Sequence, residues 1–165
     1  KLESGEQLML PENFIIQDLL KEVYETILYK AEEKQITCMI KKGCELPLSV
    51  FADKEKIRQV LLNLVDNAIK YGKQNGTIEA SFYKVDEASV LIEISDDGFG
   101  IPEDHLLRIF ERFYRTDLAR SRKVGGSGLG LAICKHIVEA HGQSIHARSK
   151  IDVGSTFGFT LESKK

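Results

Sequence analysis

The sequence predicts a two-layer α/β sandwich folded as one domain. Three observations point there. The chain has 165 residues, typical of a single domain and long enough to bury a real core. Runs with helical apolar spacing are interleaved with short runs of strand-like alternation. The strands look antiparallel, and helices alternating with such strands pack as one layer on another. No internal repeat or low-complexity segment interrupts the pattern.

Asn13 to Ile16 reads as a short strand. From Asp18 to about Lys34 the spacing is helical, with Leu19, Leu20, Val23, Ile27 and Leu28 on one side. Ile36 to Ile40 and Ser49 to Phe51 are short strands, with Gly43 and Pro47 punctuating between them. Asp53 is placed to cap a helix that runs to about Tyr71, where Gly72 ends it. Its third position is Lys56 rather than a capping-box acid. This helix should bury Ile57, Val60, Leu61, Leu64 and Ala68. Thr77 to Lys84 alternates with Ile78, Ala80 and Phe82 on one face, and Val90 to Ser95 with Val90, Ile92 and Ile94 inward. Pro102 opens a short helix through Ile109. Thr116 to Gly126 is a polar, basic loop, and Leu129 to Ala140 is helical. Ser144 to Ser149 and Thr156 to Leu161 close the sheet.

Composition narrows the function. Charged residues make up 29% and apolar ones 42%, the balance of a water-soluble globular domain. A net charge of −2 gives no bulk pull toward nucleic acid or an anionic membrane. No apolar run approaches the roughly 20 residues that span a bilayer. The first residues, Lys1 to Glu6, do not form a signal peptide and begin abruptly in charged residues, as an excised fragment would. Three cysteines leave one over from any pairing, and no His or Cys set has zinc spacing. Reduced thiols in a cytoplasmic setting are expected.

Four polar or glycine-rich stations lie between these elements, and together they describe a nucleotide site. Asn63, Asn67 and Lys70 are spaced four and three apart, forming one stripe beside the buried face of their helix. Asparagine is a poor helix former, so two on one stripe need a reason. An amide oxygen can take one site on Mg²⁺, and Lys70 can meet a phosphate as a point charge. Asp96-Asp97-Gly98-Phe99-Gly100-Ile101 ends an apolar strand. A carboxylate there can accept the exocyclic amine of adenine, Gly98 and Gly100 let the chain turn under the base, and Ile101 offers an apolar surface. Residue pattern alone leaves open whether Asp96 or Asp97 faces the base.

Gly126-Ser127-Gly128-Leu129-Gly130 opens a helix, where free N–H groups and the positive helix end favour phosphate. It is neither a Walker A loop nor a dinucleotide fingerprint, because no Gly-Lys-Ser/Thr follows and no strand precedes. Arg115, Arg120, Arg122 and Lys123 make the preceding segment basic, so that it can lie across a triphosphate. Arg115 is the candidate for a γ-phosphate contact. Gly154-Ser155-Thr156-Phe157 reads as a turn that closes the sheet behind the site.

In this order the stations resemble the asparagine box, first glycine box, phenylalanine box, second glycine box and final glycine-serine/threonine turn of sensor histidine kinase catalytic domains. Phe110-Glu111-Arg112-Phe113-Tyr114-Arg115 matches the phenylalanine box. The superfamily also includes type II topoisomerases, the large heat-shock chaperones and mismatch-repair ATPases. The resemblance covers nearly the whole chain. It implies a Bergerat-type fold, a mixed sheet with helices on one face and ATP held under a mobile lid. It also implies that Asn67 is the principal Mg²⁺ ligand, that Asn63 assists, that Tyr71 packs near the nucleotide and that Asp96 is the base-reading acid. Phe110, Phe113 and Tyr114 would anchor the base of the lid. Residues 1–11 would be the connector from a helical-hairpin dimerisation and phospho-acceptor domain, with 12–165 the catalytic domain.

The acceptor is missing. None of His105, His136, His141 or His146 has the His-acid context of such a hairpin. The partners implied are therefore that hairpin domain, and through it a response regulator, with no nucleic acid, no direct membrane contact and a monomeric isolated domain. Two rivals stand beside this reading. One is another enzyme of the superfamily, an ATPase motor or a serine kinase acting on a sigma-factor system. The other is a binding module that holds nucleotide as a structural ligand. Superfamily hydrolases place a glutamate four residues before the key asparagine, where this chain has Asn63. The phenylalanine box argues against the serine kinases.

Overall fold

In the computed structural model, which describes residues 8–111 and 130–165, seven strands form one sheet. In chain order the elements are β1 (Glu12–Ile15), α1 (Ile16–Glu33), β2 (Thr37–Ile40), β3 (Ser49–Ala52), α2 (Lys54–Tyr71), β4 (Thr77–Lys84), β5 (Ser89–Asp96), α3 (Glu103–Leu106), α4 (Gly130–Ala140), β6 (Ile145–Lys150) and β7 (Gly154–Ser163). Across the sheet the strands run β1-β3-β7-β5-β4-β2, with β6 also beside β7. Only β2 and β4 pair in parallel, so the sheet is mixed. One edge of β7 pairs with β5 from Ser89 to Asp96. Its other edge is divided, with β6 against Gly154–Phe159 and β3 against Glu162 and Ser163.

The period-two pattern explains the two faces. Ile78, Ala80, Phe82, Val90, Ile92, Ile94, Phe157, Phe159 and Leu161 are buried in one core with residues of α1, α2 and α4. Apart from Tyr83 and Leu91 the intervening positions on β4 and β5 are polar, and on that face Ser95 meets Thr156 at 2.8 Å and Arg148 bridges to Glu93 at 2.8 Å. The helices therefore cover one face, giving the two layers expected.

Helix α1 starts at Ile16, two residues earlier than its apolar spacing suggests. Ile15 offers no side-chain cap, but the orphan N–H of Ile16 finds the Leu48 carbonyl at 3.0 Å. Buried Gln17 holds the same loop, donating to the Cys44 and Leu46 carbonyls and accepting from the Leu48 N–H. Leu19, Leu20, Val23 and Ile27 face the core, whereas Leu28 does not. It sits about 100° around the helix from Ile27 and is exposed.

Asp53 caps α2 as expected, its carboxylate accepting the Lys56 N–H at 3.3 Å. At the other end Lys34 reaches across from α1. Its ammonium donates to the carbonyls of Ile69, Lys70 and Gly72 at 2.8, 2.9 and 3.2 Å, satisfying groups the helix leaves open.

Two elements differ from expectation. The helix after Pro102 stops at Leu106 instead of Ile109, and turns follow. There the Arg108 and Ile109 N–H groups reach back only three residues, to the His105 and Leu106 carbonyls, which tightens the chain into turns with Ile109 buried and Leu107 exposed. Gly154-Ser155-Thr156-Phe157 is not a turn. All four residues belong to β7, and the turn lies just before them at residues 151–153.

Candidate nucleotide site

The C-terminal end of β5 delivers Asp96 to a buried position, 9% exposed, at the end of a row of apolar side chains. Its carboxylate accepts the Gly98 N–H at 2.9 Å and the backbone N–H of Ser155 on β7. Burial nevertheless pushes its pKa up to about 6, because desolvation outweighs the two N–H donors and the neighbouring Asp97 adds repulsion. Asp97 faces elsewhere. Its carboxylate accepts the Thr77 N–H at 2.9 Å and tethers the start of β4. Of the two acids, Asp96 is the buried one and Asp97 is spent on the sheet.

The first glycine stretch is strapped on both sides. The Phe99 N–H donates to the Tyr71 carbonyl at 3.3 Å, which fixes it to the end of α2. The Phe99 carbonyl accepts the Asp152 N–H at 2.8 Å, which fixes it to the β6–β7 turn. Gly100 has φ +81°, and a Cβ there would lie 2.3 Å from the Lys150 carbonyl oxygen. Ile101 is fully within the core instead of lining an open surface, and its N–H donates to Ser149 Oγ at 2.7 Å. A cleft of about 270 Å³ lies at this end of the sheet, lined by Asp96, Ser149 and Ser155 and also by Arg148 and Thr156 from the other face.

Gly154 explains why the last station is glycine. Its φ is +141°, and an added Cβ would sit 2.0 Å from the Asp96 carbonyl oxygen. The station therefore presses β7 onto buried Asp96 and aims the Ser155 N–H at its carboxylate. Sequence reading missed that role for Ser155 and missed Ser149 altogether. The available signal was a serine two positions before an Ile-Asp-Val turn, on the inward phase of its strand.

On α2, Asn63, Asn67 and Lys70 are all half-buried. The Asn67 side chain has no hydrogen-bond partner among the described residues. Asn63 is occupied, donating to the Gly130 carbonyl at 3.3 Å and bonding the Cys134 thiol, so it ties α2 to the first turn of α4. Lys70 pairs with Asp66 at 3.1 Å, and Lys30 holds the other oxygen of that acid at the same distance. Asp66 thus has two cationic partners and is turned into a structural tie. Burial pushes the Cys134 thiol up to about 12, so it stays protonated and inert. The three cysteines are free.

Gly130 begins α4, and Phe110 stacks edge-on against Phe157 with ring centroids 6.0 Å apart, anchoring the start of the phenylalanine box to the core. The expected roles of Arg115, Phe113, Tyr114, Gly126, Ser127, Gly128 and Leu129, and the lid from Thr116 to Gly126, lie outside the described residues. Among the described residues no group of three His, Cys, Asp or Glu side chains gathers for a metal, and no helix is long and apolar enough to cross a membrane.

A buried acid at a strand end, a glycine strap beneath it and an asparagine helix alongside are features that comparison with known proteins can test. The model of the histidine kinase-, DNA gyrase B-, and HSP90-like ATPases matches residues 52–165. The chain belongs to that family. Within it the likeness is to sensor kinases. Sensor histidine kinase WalK of Bacillus subtilis is 46% identical over 119 residues, 72% of this chain and 20% of WalK. The full-length ShkA structure in complex with AMPPNP superposes with a TM-score of 0.82 at 29% identity, over 99% of this chain and 33% of that one. Histidine kinase ThkA, in complex with response regulator protein TrrA, gives 0.79 at 30% identity, over 98% and 44%. The chain spans only about a fifth to two fifths of the length of its curated relatives. Family and superposition bear out the Bergerat-type two-layer fold and the reading of an ATP-binding histidine kinase catalytic domain.

Proposed function

We propose that this chain binds Mg²⁺·ATP and presents its γ-phosphoryl group to a histidine on a separate helical-hairpin domain of the same parent, from which it passes to an aspartate of a response regulator. The observation that carries the reading is Asp96. A carboxylate so buried that its pKa rises to about 6, accepting only backbone N–H groups, costs stability and makes sense as a reader of a ligand amine. At C6 adenine carries such an amine, where guanine carries a carbonyl.

The donor set suits Mg²⁺. Asn67 carries a half-buried amide without a partner among the described residues, and Asn63 has its amide nitrogen spent, which leaves a carbonyl oxygen for a cation. A hard cation that keeps most of its water needs few protein oxygens. When bound, Mg²⁺ would neutralise phosphate charge. The chain's own residues bind and orient: Asp96 takes the base, α2 carries the amides, and Lys70 exchanges Asp66 for phosphate. Arg115 and the Gly126–Gly130 stretch complete the phosphate side. Phosphoryl transfer of this kind is mostly positioning and charge stabilisation. Acid-base help at the histidine belongs to the acceptor domain. Residues 1–11 are the connector to that hairpin, and the isolated domain is a monomer facing the cytoplasm.

The relatives support this reading, since ShkA is described with AMPPNP and ThkA with a response regulator. The test is transfer from labelled ATP. The chain alone should stay unlabelled, and adding the parent's hairpin domain should give acid-labile, base-stable label on that partner. GTP should be a ten- to a hundredfold poorer ligand, about the worth of one hydrogen bond to a buried charged acceptor. Label on a histidine of this chain, or none on the hairpin, would overturn the proposal.

A further inference from the structure

Three strands bring polar side chains to one level at the end of the inner face. Ser149 of β6 lies opposite Ser155 of β7, and Ser155 lies opposite Asp96 of β5. The rows above them in the same phase are apolar, Ala147–Phe157–Ile94 and Ile145–Phe159–Ile92. A rung of two serines and a carboxylate below such rows is a built feature.

The protons on this rung can be counted. Ser149 Oγ accepts the Ile101 N–H at 2.7 Å. It lies 3.0 Å from the Gly154 carbonyl and 2.8 Å from Ser155 Oγ. A serine hydroxyl has one proton and two lone pairs. The Gly154 carbonyl can only accept, so the Ser149 proton goes there, and the Ser155 proton must then point to Ser149. Ser155 Oγ is left as an acceptor beside the Asp96 carboxylate, and its N–H already serves that carboxylate. The rung therefore offers acceptors only.

We propose that Ser149 is a positioning residue for base selection: by taking the Ser155 proton and the Ile101 N–H, it fixes an acceptor-only rung that favours the amine of adenine over the carbonyl of guanine. This rests on the adenine-nucleotide reading above. Ser149 acts on the base through Ser155, whose proton it takes, while the Ile101 N–H holds its own hydroxyl in place. Without its hydroxyl, the Ser155 O–H is free to rotate and donate to a guanine carbonyl.

The experiment measures dissociation constants of Mg²⁺·ATP and Mg²⁺·GTP for wild type and variants. Ser149→Ala should narrow the ATP preference by about threefold to tenfold, the worth of one neutral hydrogen bond. Ser149→Thr, which keeps the hydroxyl, should restore it. In Ser155→Ala the further change Ser149→Ala should leave the ratio where Ser155→Ala put it, because Ser149 acts through Ser155. If Ser149→Ala does not fold, Ser149→Cys, with a weak donor of similar size, should show the same narrowing. An unchanged ratio in Ser149→Ala or Ser149→Cys, or effects of the two serines that add in full, would overturn the role of Ser149 while leaving ATP binding intact. A wild type with no preference for ATP overturns the adenine reading and this inference with it.

Discussion

Replacing Asp96 by asparagine should make the stability of the domain less dependent on pH, by an amount the structure fixes. Asp96 has its pKa raised from 3.8 to about 6, first because it is buried. An acid with a raised folded pKa binds its proton more tightly in the native state. Between pH 3.8 and about 6 the native state therefore holds more protons than the unfolded chain, and stability falls as pH rises through that window. The full loss is about 3 kcal/mol, reached above about pH 6. The amide of the Asp96→Asn variant carries no such proton.

The variant also loses part of its bonding. With one acceptor oxygen in place of two, its side chain serves the Gly98 and Ser155 N–H groups less well. That penalty is the same at every pH. The difference in unfolding free energy, Asp96→Asn minus wild type, should thus rise by about 2 kcal/mol between roughly pH 4.5 and 7.5 and then level off. Titrating groups that do not interact with Asp96 cancel in the subtraction, and Asp97 is the one charged neighbour that shifts its pKa. Urea unfolding of both proteins across that pH range measures it. A difference that stays flat, or that falls with rising pH, would refute the buried-charge argument.

Three further outcomes are expected. Asn67→Ala should weaken nucleotide binding chiefly when Mg²⁺ is present, and an equal loss in excess chelator would mean that the residue acts by packing. Gly154→Ala should lower stability by more than about 2 kcal/mol, because the new Cβ meets the Asp96 carbonyl at a backbone angle unsuited to alanine, and denaturant midpoints will read it. Intrinsic phosphate release should be very slow, since a positioned base is worth typically about 10²–10⁴-fold and none stands among the described residues. Asn63 is an amide and Asp66 is tied to Lys30 and Lys70. Asn63→Glu should raise the rate, and fast release by wild type that Asn67→Ala abolishes would move the protein to the hydrolases.

Local rules made most of the scaffold legible. Asp53 before a periodic run marks the start of α2, Gly72 marks its end, and alternation in Thr77–Lys84 marks both the strand and its buried face. What stayed hidden depends on contacts between distant segments. The early start of α1 rests on a carbonyl at Leu48, which no local pattern announces. Glycine followed by serine and threonine reads as turn chemistry, yet Gly154 is required by the Asp96 backbone pressed against it. The stripe of Asn63, Asn67 and Lys70 was visible as spacing. That Asn63 would spend its amide on α4 and Lys70 on Asp66 depends on packing. Residue pattern alone did not separate Asp96 from Asp97; the fold buries the first and spends the second on the Thr77 N–H.

The ten residues of β7 span roughly 30 Å of strand. One end is wedged against Asp96. Beyond the other, the Lys164 N–H holds the Ser49 carbonyl and the Lys165 N–H holds Asn13 on the first strand. Mechanically, β7 is a tie rod between buried Asp96 and the first strand. A pull on the entering chain reaches β7 through β1 and β3 and loads its long ladder with β5 in shear, a direction in which many hydrogen bonds share the force. The Asp96 end and the Asn13 end are therefore coupled as one body.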